Sequence, residues 1–338
     1  MLKNLFAIAT VFSLSLAAQK PADAGITRLQ HDLPDWMRQG DVPGVSIAVL
    51  RHGKTAWIGS YGVANKATQQ PVTDRTLFNA ASLSKTVFAY TVLRLVDQRK
   101  IDLDTPLTHY VRDRPSHDPR LDKITARIVL SHRTGFPNWR NNAKDELQIY
   151  FDPGSRFSYS GEGMVYLQHA VEAITGKPLN QVITEQVFHP LGMTESSYTA
   201  RRDLAADFTM GYSADGRSVA LFQDTVANAA ASLNTTARDY ALFLEAVLSG
   251  RGLERATLRE METPQIAVDP TCTNCLDAAP KTLSTDLFWG LGWGIEKSAS
   301  GTYLWHWGDN GVFKAYVVAD IQRRSAIVLF DNSSSGLS

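Results

Sequence analysis

Two reactive side chains lie three residues apart in an otherwise apolar stretch of the sequence. Ser82 and Lys85 belong to FNAASLSKTVFAY, residues 78–90, where most neighbours are small or apolar. Burying a lysine charge costs free energy, so either the amine reaches solvent or a neighbouring group requires it. If a helix begins near Ser82, the two side chains share a face, and the lysine can assist loss of the serine proton. The pair alone also fits a capping serine followed by a surface lysine.

Two further stretches carry residues that could complete an active site. FDPGSRFSYSGEG, residues 151–163, places Tyr159 in a loop just before a helix. A tyrosine acts as a general base if nearby cations lower its pKa from about 10. LWHWGDNGVFKAY, residues 304–316, places the tripeptide 306–308 on a predicted strand, and Gly308 within it allows close approach by a substrate backbone.

These residues must be positioned by strands at both ends of the chain and helices between them. Short β-rich segments separated by turn residues predict strands within 43–64, 288–296, 303–308, 313–320 and 325–330. Helical periodicity and capping signals predict helices over 26–39, 84–98, 163–176, 178–190 and 236–250. The economical arrangement is an α+β fold, in which one antiparallel sheet is built from both termini and a mainly helical lobe is inserted between its strands.

Composition and the N-terminus restrict the class of protein. The 338 residues include 34 basic and 34 acidic side chains, which argues against a nucleic-acid binder. Lys3 precedes an apolar run over residues 5–18 that is too short to span a bilayer, and Ala22-Asp23-Ala24 resembles a cleavage site. We predict a signal peptide over residues 1–24, rather than a buried N-terminal helix. The mature chain is then exported, periplasmic or secreted, without stable membrane insertion.

The chain contains two cysteines, Cys272 and Cys275, in the stretch TCTNC. In an exported protein this pair favours a disulfide, with two free thiols in a loop as the alternative. A metal site is the weakest interpretation, because no second CxxC or histidine pair completes four ligands. Whether Cys272 and Cys275 form a disulfide or remain free thiols, we expect their role to be structural.

Six stretches in order identify a resemblance over most of the predicted mature chain. They are FNAASLSKT, VLSHRTGFPNW, PGSRFSYSGEG, HPLGMTESSYT, AASLNTTARDYALFL and HWGDNG. In this order they resemble the serine β-lactamase and penicillin-binding-protein superfamily, nearest its class C, DD-peptidase and esterase-like branch. The resemblance implies a β-lactamase/transpeptidase-like fold and a domain over residues 25–338.

The resemblance also implies roles for individual residues. Ser82 matches the acylated nucleophile, Lys85 the lysine that assists its deprotonation, and Tyr159 the tyrosine of the Tyr-x-Asn motif. His306, with Trp307 and Gly308, aligns with the Lys-Thr-Gly strand motif, which is His-x-Gly in several relatives. The implied oxyanion hole consists of the backbone N–H groups of Ser82 and Asp309, and such donors contribute about 3 kcal/mol each to the transition state.

Three departures from the family pattern affect the substrate. Gly161 replaces the asparagine of Tyr-x-Asn, so a side-chain amide that could hold a substrate amide is missing. His306 replaces the lysine of Lys-Thr-Gly, so a permanent charge becomes one that depends on pH. Trp307 replaces the threonine, which removes a hydroxyl donor for a substrate carboxylate. These departures weaken the case for an efficient β-lactamase and leave the acylation residues in place.

Several other residues have an ordinary interpretation beside a functional one. His132 matches a family landmark whose role is mainly structural. Trp139 and Arg140 either line the substrate cleft or belong to a surface loop. Asp309 and Asn310 either contact substrate or form the turn before Gly311. Trp289, Trp293, Trp305 and Trp307 could form an aromatic cleft wall, although we expect at least half of them in the core.

The sequence therefore predicts a serine hydrolase that acts through an acyl-enzyme on an ester or a D-amino-acid peptide or amide. The alternatives are a class C-like β-lactamase of modest activity and a non-catalytic penicillin- or peptidoglycan-binding relative. The expected partner is a small-molecule or peptide substrate, without nucleic acid, metal or organic cofactor; the oligomeric state stays open. Family members usually continue into a C-terminal helix packed on the sheet, whereas the printed sequence ends at Ser338, after the last predicted strand.

Overall fold

The structure is a computed structural model that describes residues 23–142, 144–220, 225–277 and 279–336. The predicted signal peptide lies outside the described residues except for its last two positions, Asp23 and Ala24, and stays a prediction. Among the described residues, no helix is long and apolar enough to cross a membrane.

A nine-stranded antiparallel sheet forms the framework. From one edge to the other, its order is β3-β2-β1-β13-β12-β11-β10-β9-β8. The N-terminal strands are β1 (Gly44–Arg51), β2 (Lys54–Asn65) and β3 (Gln70–Pro71). The C-terminal strands are β8 (Ile266–Ala267), β9 (Leu287–Trp289), β10 (Gly294–Ser298), β11 (Gly301–Asp309), β12 (Lys314–Asp320) and β13 (Ser325–Asp331). The two sets join where β1 pairs with β13, so the predicted sheet from both termini is confirmed.

Local sequence explains the first hairpin of this sheet. His52 and Gly53 connect β1 to β2 with positive φ angles of 52° and 75°, the left-handed conformation that favours glycine. Seven of the eight residues of β1 are buried, because helices cover both faces of the sheet at this strand. The two strands that were predicted around this turn are therefore confirmed.

The helical lobe lies between β3 and β8, as the sequence predicted. Its helices are α2 (Ser84–Asp97), α3 (Ala126–Leu130), α4 (Gly161–Thr175), α5 (Leu179–Ile183), α6 (His189–Leu191), α7 (Ala237–Ser249) and α8 (Arg255–Met261). Two-stranded pairs join β4 (Phe78–Asn79) to β7 (Asn234–Thr235), and β5 (Met210–Tyr212) to β6 (Ser218–Ala220). The remaining helix, α1 (Ala24–Gln39), precedes the sheet.

Sequence signals place most helix ends correctly. Thr236 accepts a hydrogen bond from Asp239 N at the start of α7, and Gly250 ends it with φ 68°. The helix predicted over 178–190 extends to Leu191 and ends at Gly192 instead of Pro190. The five residues before α6, Thr184–Phe188, form a π-helical turn, so the helical hydrogen-bond pattern is already irregular just before Pro190.

One large core holds α2 against the sheet. Apolar side chains of α2, such as Val87, Phe88 and Leu95, pack in it with residues of α4, α7 and the central strands. A smaller cluster packs Leu33 and Met37 of α1 against the other face of the sheet. The segment before α2 is therefore fixed against the end of β11, where the candidate site lies.

Candidate active site

Ser82 lies in a single 3-10 turn, Ala81–Leu83, and α2 begins two residues later at Ser84. The prediction that the helix begins near Ser82 is thus correct to within two residues. Ala81, directly before Ser82, has φ 46°, a conformation that costs a non-glycine residue about 1 to 3 kcal/mol. Its N–H donates to Asn79 Oδ1 at 3.0 Å, which helps to hold this strained turn. Such strain is typical of residues that present a reactive group.

Lys85 is completely buried, so the surface-lysine interpretation is wrong. Its Nζ donates to Ser82 Oγ at 2.9 Å and to the Ala230 carbonyl at 2.8 Å. Burial penalises the charged amine and lowers the pKa of Lys85 from 10.5 to about 7. A large fraction of the amine is therefore neutral near pH 7 and can accept the proton of Ser82.

Two hydrogen bonds from consecutive backbone N–H groups hold the segment that carries Tyr159. The Tyr159 N–H donates to the Thr273 carbonyl at 2.9 Å, and the next N–H, of Ser160, donates to His132 Nδ1 at 3.1 Å. The His132 ring lies against the phenol with a centroid separation of 4.3 Å. His132 therefore supports Tyr159 from behind, in agreement with the structural role that the resemblance implied.

The condition under which Tyr159 would act as a general base, a pKa lowered by nearby cations, is not met. Burial raises the pKa of Tyr159 above its usual value, and the proximity of Ser82 offsets only part of this effect. Lys85 Nζ lies 4.8 Å from the ring centroid, but its own charge is suppressed by burial, so it does not produce a tyrosinate. The Tyr159 hydroxyl has no hydrogen-bond partner among the described residues. It is a neutral phenol, able to donate a proton.

The charge state of His306, which the sequence left open, follows from its burial. Its ring is fully buried, and burial, together with the proximity of Lys85, lowers its pKa to about 3. Nδ1 lies 2.7 Å from the Trp307 carbonyl, which can only accept, so Nδ1 carries the proton. His306 is therefore neutral at ordinary pH and packs 6.0 Å from the Tyr159 ring centroid.

Gly308 allows β11 to approach the nucleophile turn. A Cβ atom at this position would lie 2.5 Å from the Ala80 carbonyl oxygen and 3.2 Å from the Ser82 nitrogen. The first distance is shorter than any real Cβ contact, so a side chain here would displace the turn from the strand. The protein itself already occupies the space for which the sequence suggested a substrate backbone.

The strand register directs the N–H of Asp309 towards the same place. Asn310 N donates to the Phe313 carbonyl at 3.1 Å, so these two residues form a hydrogen-bonded pair. The adjacent pair, Asp309 and Lys314, is then a non-hydrogen-bonded pair, and the N–H of Asp309 points away from β12. On the opposite side of β11, the pairing with β10 ends at Trp305, so β10 does not accept the N–H of Asp309. This orientation suits the predicted oxyanion role.

Trp139 fills the space beside Gly161. A Cβ at Gly161 would lie 2.6 Å from an atom of the Trp139 ring, and the Gly161 N–H donates to Asn138 Oδ1 at 2.9 Å. Trp139 is 45% exposed, so its side chain is partly open to solvent. Arg140, in contrast, is paired with Glu162 at 2.7 Å, which favours a structural role in the same loop.

The tryptophans divide between core and cleft. Trp289 and Trp293 are fully buried, as expected for at least half of the four. Trp305 and Trp307 are partly exposed and stack with a centroid separation of 5.8 Å. Trp307 also lies 5.1 Å from the Tyr159 ring centroid, so it forms an aromatic wall beside the phenol.

Sequence reasoning missed a polar clamp around the nucleophile turn. Asn310 Nδ2 donates to Asn79 Oδ1 at 2.7 Å and to the Ala231 carbonyl at 3.2 Å. The same Asn79 oxygen accepts from Ala81, so the turn after β11 is tied to the turn that carries Ser82. The only sequence signal was the asparagine in the turn DNG, which equally fits an ordinary turn residue.

The structure thus brings the predicted residues together from three distant parts of the chain. A partly exposed serine contacts a buried amine, a neutral phenol lies beside that amine, and the N–H of Asp309 points away from β12 next to Gly308, which contacts the nucleophile turn. This arrangement can activate a hydroxyl nucleophile and stabilise negative charge on an attacked carbonyl. A family model described as Beta-lactamase matches residues 25–337 of the chain.

The chain belongs to the beta-lactamase family. This family member is 26% identical over 285 residues to a beta-lactamase of Providencia stuartii, an alignment that covers 80% of this chain and 72% of that protein. It is 28% identical over 223 residues to Esterase EstB of Burkholderia gladioli, which covers 56% of this chain and 54% of that protein. The chain thus spans about half the length of the esterase.

A solved class C beta-lactamase superposes with a TM-score of 0.78 at 20% sequence identity. The match covers 94% of this chain and 95% of that one, which confirms the β-lactamase/transpeptidase-like fold. The named relatives include both beta-lactamases and an esterase. Membership of the beta-lactamase family therefore places the chain among serine hydrolases but does not identify its substrate.

Proposed function

We propose that this protein hydrolyses carboxylic esters through an acyl-enzyme on Ser82, with D-amino-acid peptides or amides as the next candidate substrates. The observation that carries the proposal is the 2.9 Å contact between Ser82 Oγ and the fully buried Nζ of Lys85. Among the described residues no carboxylate pairs with Lys85, so its charge is costly to bury, and its lowered pKa provides a base beside the serine.

Each proposed step uses one group of the site. Neutral Lys85 takes the proton of Ser82 while Oγ attacks the substrate carbonyl. The oxyanion that forms lies between the N–H groups of Ser82 and Asp309. The Tyr159 phenol donates its proton to the leaving oxygen and recovers one from the Lys85 ammonium. Water then attacks the acyl carbonyl while neutral Lys85 takes one of its protons, and Lys85 returns that proton to Ser82 Oγ as the acyl group leaves, so the protons balance over the cycle.

The features around this machinery favour an uncharged ester over a substrate that carries a carboxylate. His306 is neutral, and Trp307 offers no hydroxyl. Lys314 is already paired with Asp309 at 2.6 Å, so its charge is largely compensated. Gly161 supplies no side-chain amide, and the adjacent Trp139 presents an apolar ring instead. An apolar acyl or alkoxy group fits such a wall.

A substrate panel tests the proposal. Purified protein is assayed with p-nitrophenyl butyrate, D-alanine p-nitroanilide and benzylpenicillin. We expect turnover of the ester to exceed that of the other two, and Ser82→Ala to lose about 10³-fold or more in kcat. Ser46→Ala is a matched control, since Ser46 is a buried serine on β1 whose hydroxyl has no partner among the described residues.

Each outcome of the panel has a definite meaning. Full ester turnover by Ser82→Ala would overturn the assignment of the nucleophile. Preferred hydrolysis of benzylpenicillin would replace the ester with a β-lactam substrate. A lasting penicillin adduct without turnover of any substrate would instead identify a penicillin-binding relative without hydrolytic function.

A further inference from the structure

The loop that carries the two cysteines contacts the active-site segment at Tyr159 and at Arg156. Cys272 and Cys275 form a disulfide, which confirms the pairing favoured from the sequence. The short ring they close contains Thr273, whose carbonyl oxygen accepts the Tyr159 N–H at 2.9 Å. One residue beyond the ring, the Leu276 carbonyl accepts from Arg156 Nη2 at 2.5 Å. The segment that carries the phenol is therefore fastened twice to the disulfide loop.

The disulfide loop is the partner of Tyr159 on one side, and His132 is the partner on the other. His132 accepts Ser158 N with its carbonyl at 2.8 Å and Ser160 N with Nδ1 at 3.1 Å. Three consecutive N–H groups are thus satisfied alternately by His132 and Thr273. His132 lies in the buried core, whereas Thr273 is exposed and belongs to a loop without regular secondary structure. The support from Thr273 depends on what fixes that loop.

The hydrogen bonds of Asp269 and the disulfide both fix the loop. Asp269 accepts from the N–H groups of Thr271, Lys281 and Thr282, which holds the two ends of the segment 269–282 together. These bonds do not involve residues between the cysteines. The orientation of the Thr273 carbonyl is constrained locally by the Cys272–Cys275 bond.

We infer that the Cys272–Cys275 loop is a positioning element for Tyr159, and that a dithiol reductant lowers the hydrolytic rate by releasing it. The inference rests on the proposed function, in which Tyr159 donates a proton to the leaving group. When the bond is intact, the Thr273 carbonyl holds the Tyr159 backbone at a fixed place relative to Ser82. When the bond is broken, this acceptor is free to turn towards solvent.

The chemical step is thiol–disulfide exchange. A thiolate of the dithiol attacks Cys272 Sγ, the more accessible sulfur, because Cys275 is 5% exposed. Cys275 leaves as a thiolate and takes a proton from water. The second thiol of the reductant then attacks the mixed disulfide, forms the cyclic oxidised reductant and releases Cys272 as a thiol. The protein gains two electrons and two protons, and the dithiol loses them.

The test compares oxidised and reduced protein in two independent assays. Dithiothreitol is added to the folded full chain, and the two free thiols are counted with a chromogenic disulfide. Ester turnover is then measured, together with hydrogen–deuterium exchange of the peptide that contains Tyr159. We expect kcat to fall roughly two- to tenfold with a smaller change in KM, since one positioning hydrogen bond is lost. The amide of Tyr159 should exchange faster, while helix α7 keeps its protection.

A matched control separates this effect from others. Cys272→Ser/Cys275→Ser should resemble reduced wild type in kcat and exchange, and dithiothreitol should not change it further. Should that variant fail to fold, reduced wild type still provides both measurements. Equal kcat and equal exchange in oxidised and reduced wild type would overturn the inference. Absence of ester turnover in the oxidised wild type would count against the proposed function instead, and the exchange measurement would then test the loop alone.

Discussion

The acylation rate should depend on the ionisation of Lys85. Its pKa of about 7, in place of 10.5, raises the neutral fraction of the amine at pH 7 from roughly 1 in 3,000 to about one half. Because only the neutral amine can accept the Ser82 proton, acylation is slow below the pKa and reaches a plateau above it. At pH 5 about 1% of the amine is neutral, so the rate should rise about 100-fold between pH 5 and pH 9.

The assay is the burst of p-nitrophenol that accompanies acylation by p-nitrophenyl butyrate, followed by stopped flow from pH 5 to pH 9. We expect a single rising limb with a midpoint near 7. The other site groups do not titrate in this interval, since the pKa of His306 is lowered to about 3 and that of Tyr159 is raised above its usual value. Lys85→Arg should abolish the limb and most of the rate, because a guanidinium does not lose its proton.

One buried carboxyl outside the proposed chemistry could imitate this profile. Burial raises the pKa of Asp331 to about 7, and this residue pairs across the sheet with Lys314. Asp331→Asn is therefore the control, and it should keep the midpoint near 7. A rate that is constant between pH 5 and pH 9, or a midpoint that disappears in Asp331→Asn, would refute the assignment of Lys85 as the base.

Three further predictions concern packing around the site. Gly308→Ala should lower kcat/KM about 100-fold, because its Cβ would displace the nucleophile turn. Gly40→Ala is the control and should keep the wild-type kcat/KM, since its Cβ would meet its neighbours at 3.4 Å. An equal kcat/KM for Gly308→Ala and the wild type would contradict the close approach of β11 to the turn. Gly161→Asn should lose activity through contact with the ring of Trp139, and adding Trp139→Ala should restore part of it, as ester kinetics can show. His132→Phe keeps a ring against the phenol but removes the acceptor of the buried Ser160 N–H. The free energy of unfolding, measured by thermal denaturation, should therefore fall by about 1 to 3 kcal/mol. An unchanged melting temperature would show that His132 does not support the Tyr159 segment in this way.

The parts of the fold that follow from local patterns were predictable. The turn at His52 and Gly53, the cap at Thr236 and the alternation of strands with turn residues depend on neighbours in the sequence. The sheet formed from both termini followed from placing strands at each end and helices between them. The spacing of Ser82 and Lys85 predicted an activated serine, once the five other family stretches were found in the expected order along the chain.

The ionisation states could not be predicted, because burial is a tertiary property. A histidine on a strand and a tyrosine in a loop have ordinary pKa values until the fold removes water from both. Burial thus makes His306 neutral at ordinary pH and keeps Tyr159 a protonated phenol. The contacts of Thr273 with Tyr159 and of Asn310 with Asn79 also join residues more than 100 positions apart, which no local pattern encodes.

The most direct test of the account is the intact mass of the protein after brief mixing with a slowly deacylating ester, followed by peptide mapping. The account predicts a mass increase equal to one acyl group, located on Ser82 and absent from Ser82→Ala. Lys85→Arg should acquire the same group much more slowly. An adduct on another residue, or turnover of the ester by Ser82→Ala at the wild-type rate, would contradict the central claim that Ser82, activated by the buried Lys85, is the nucleophile.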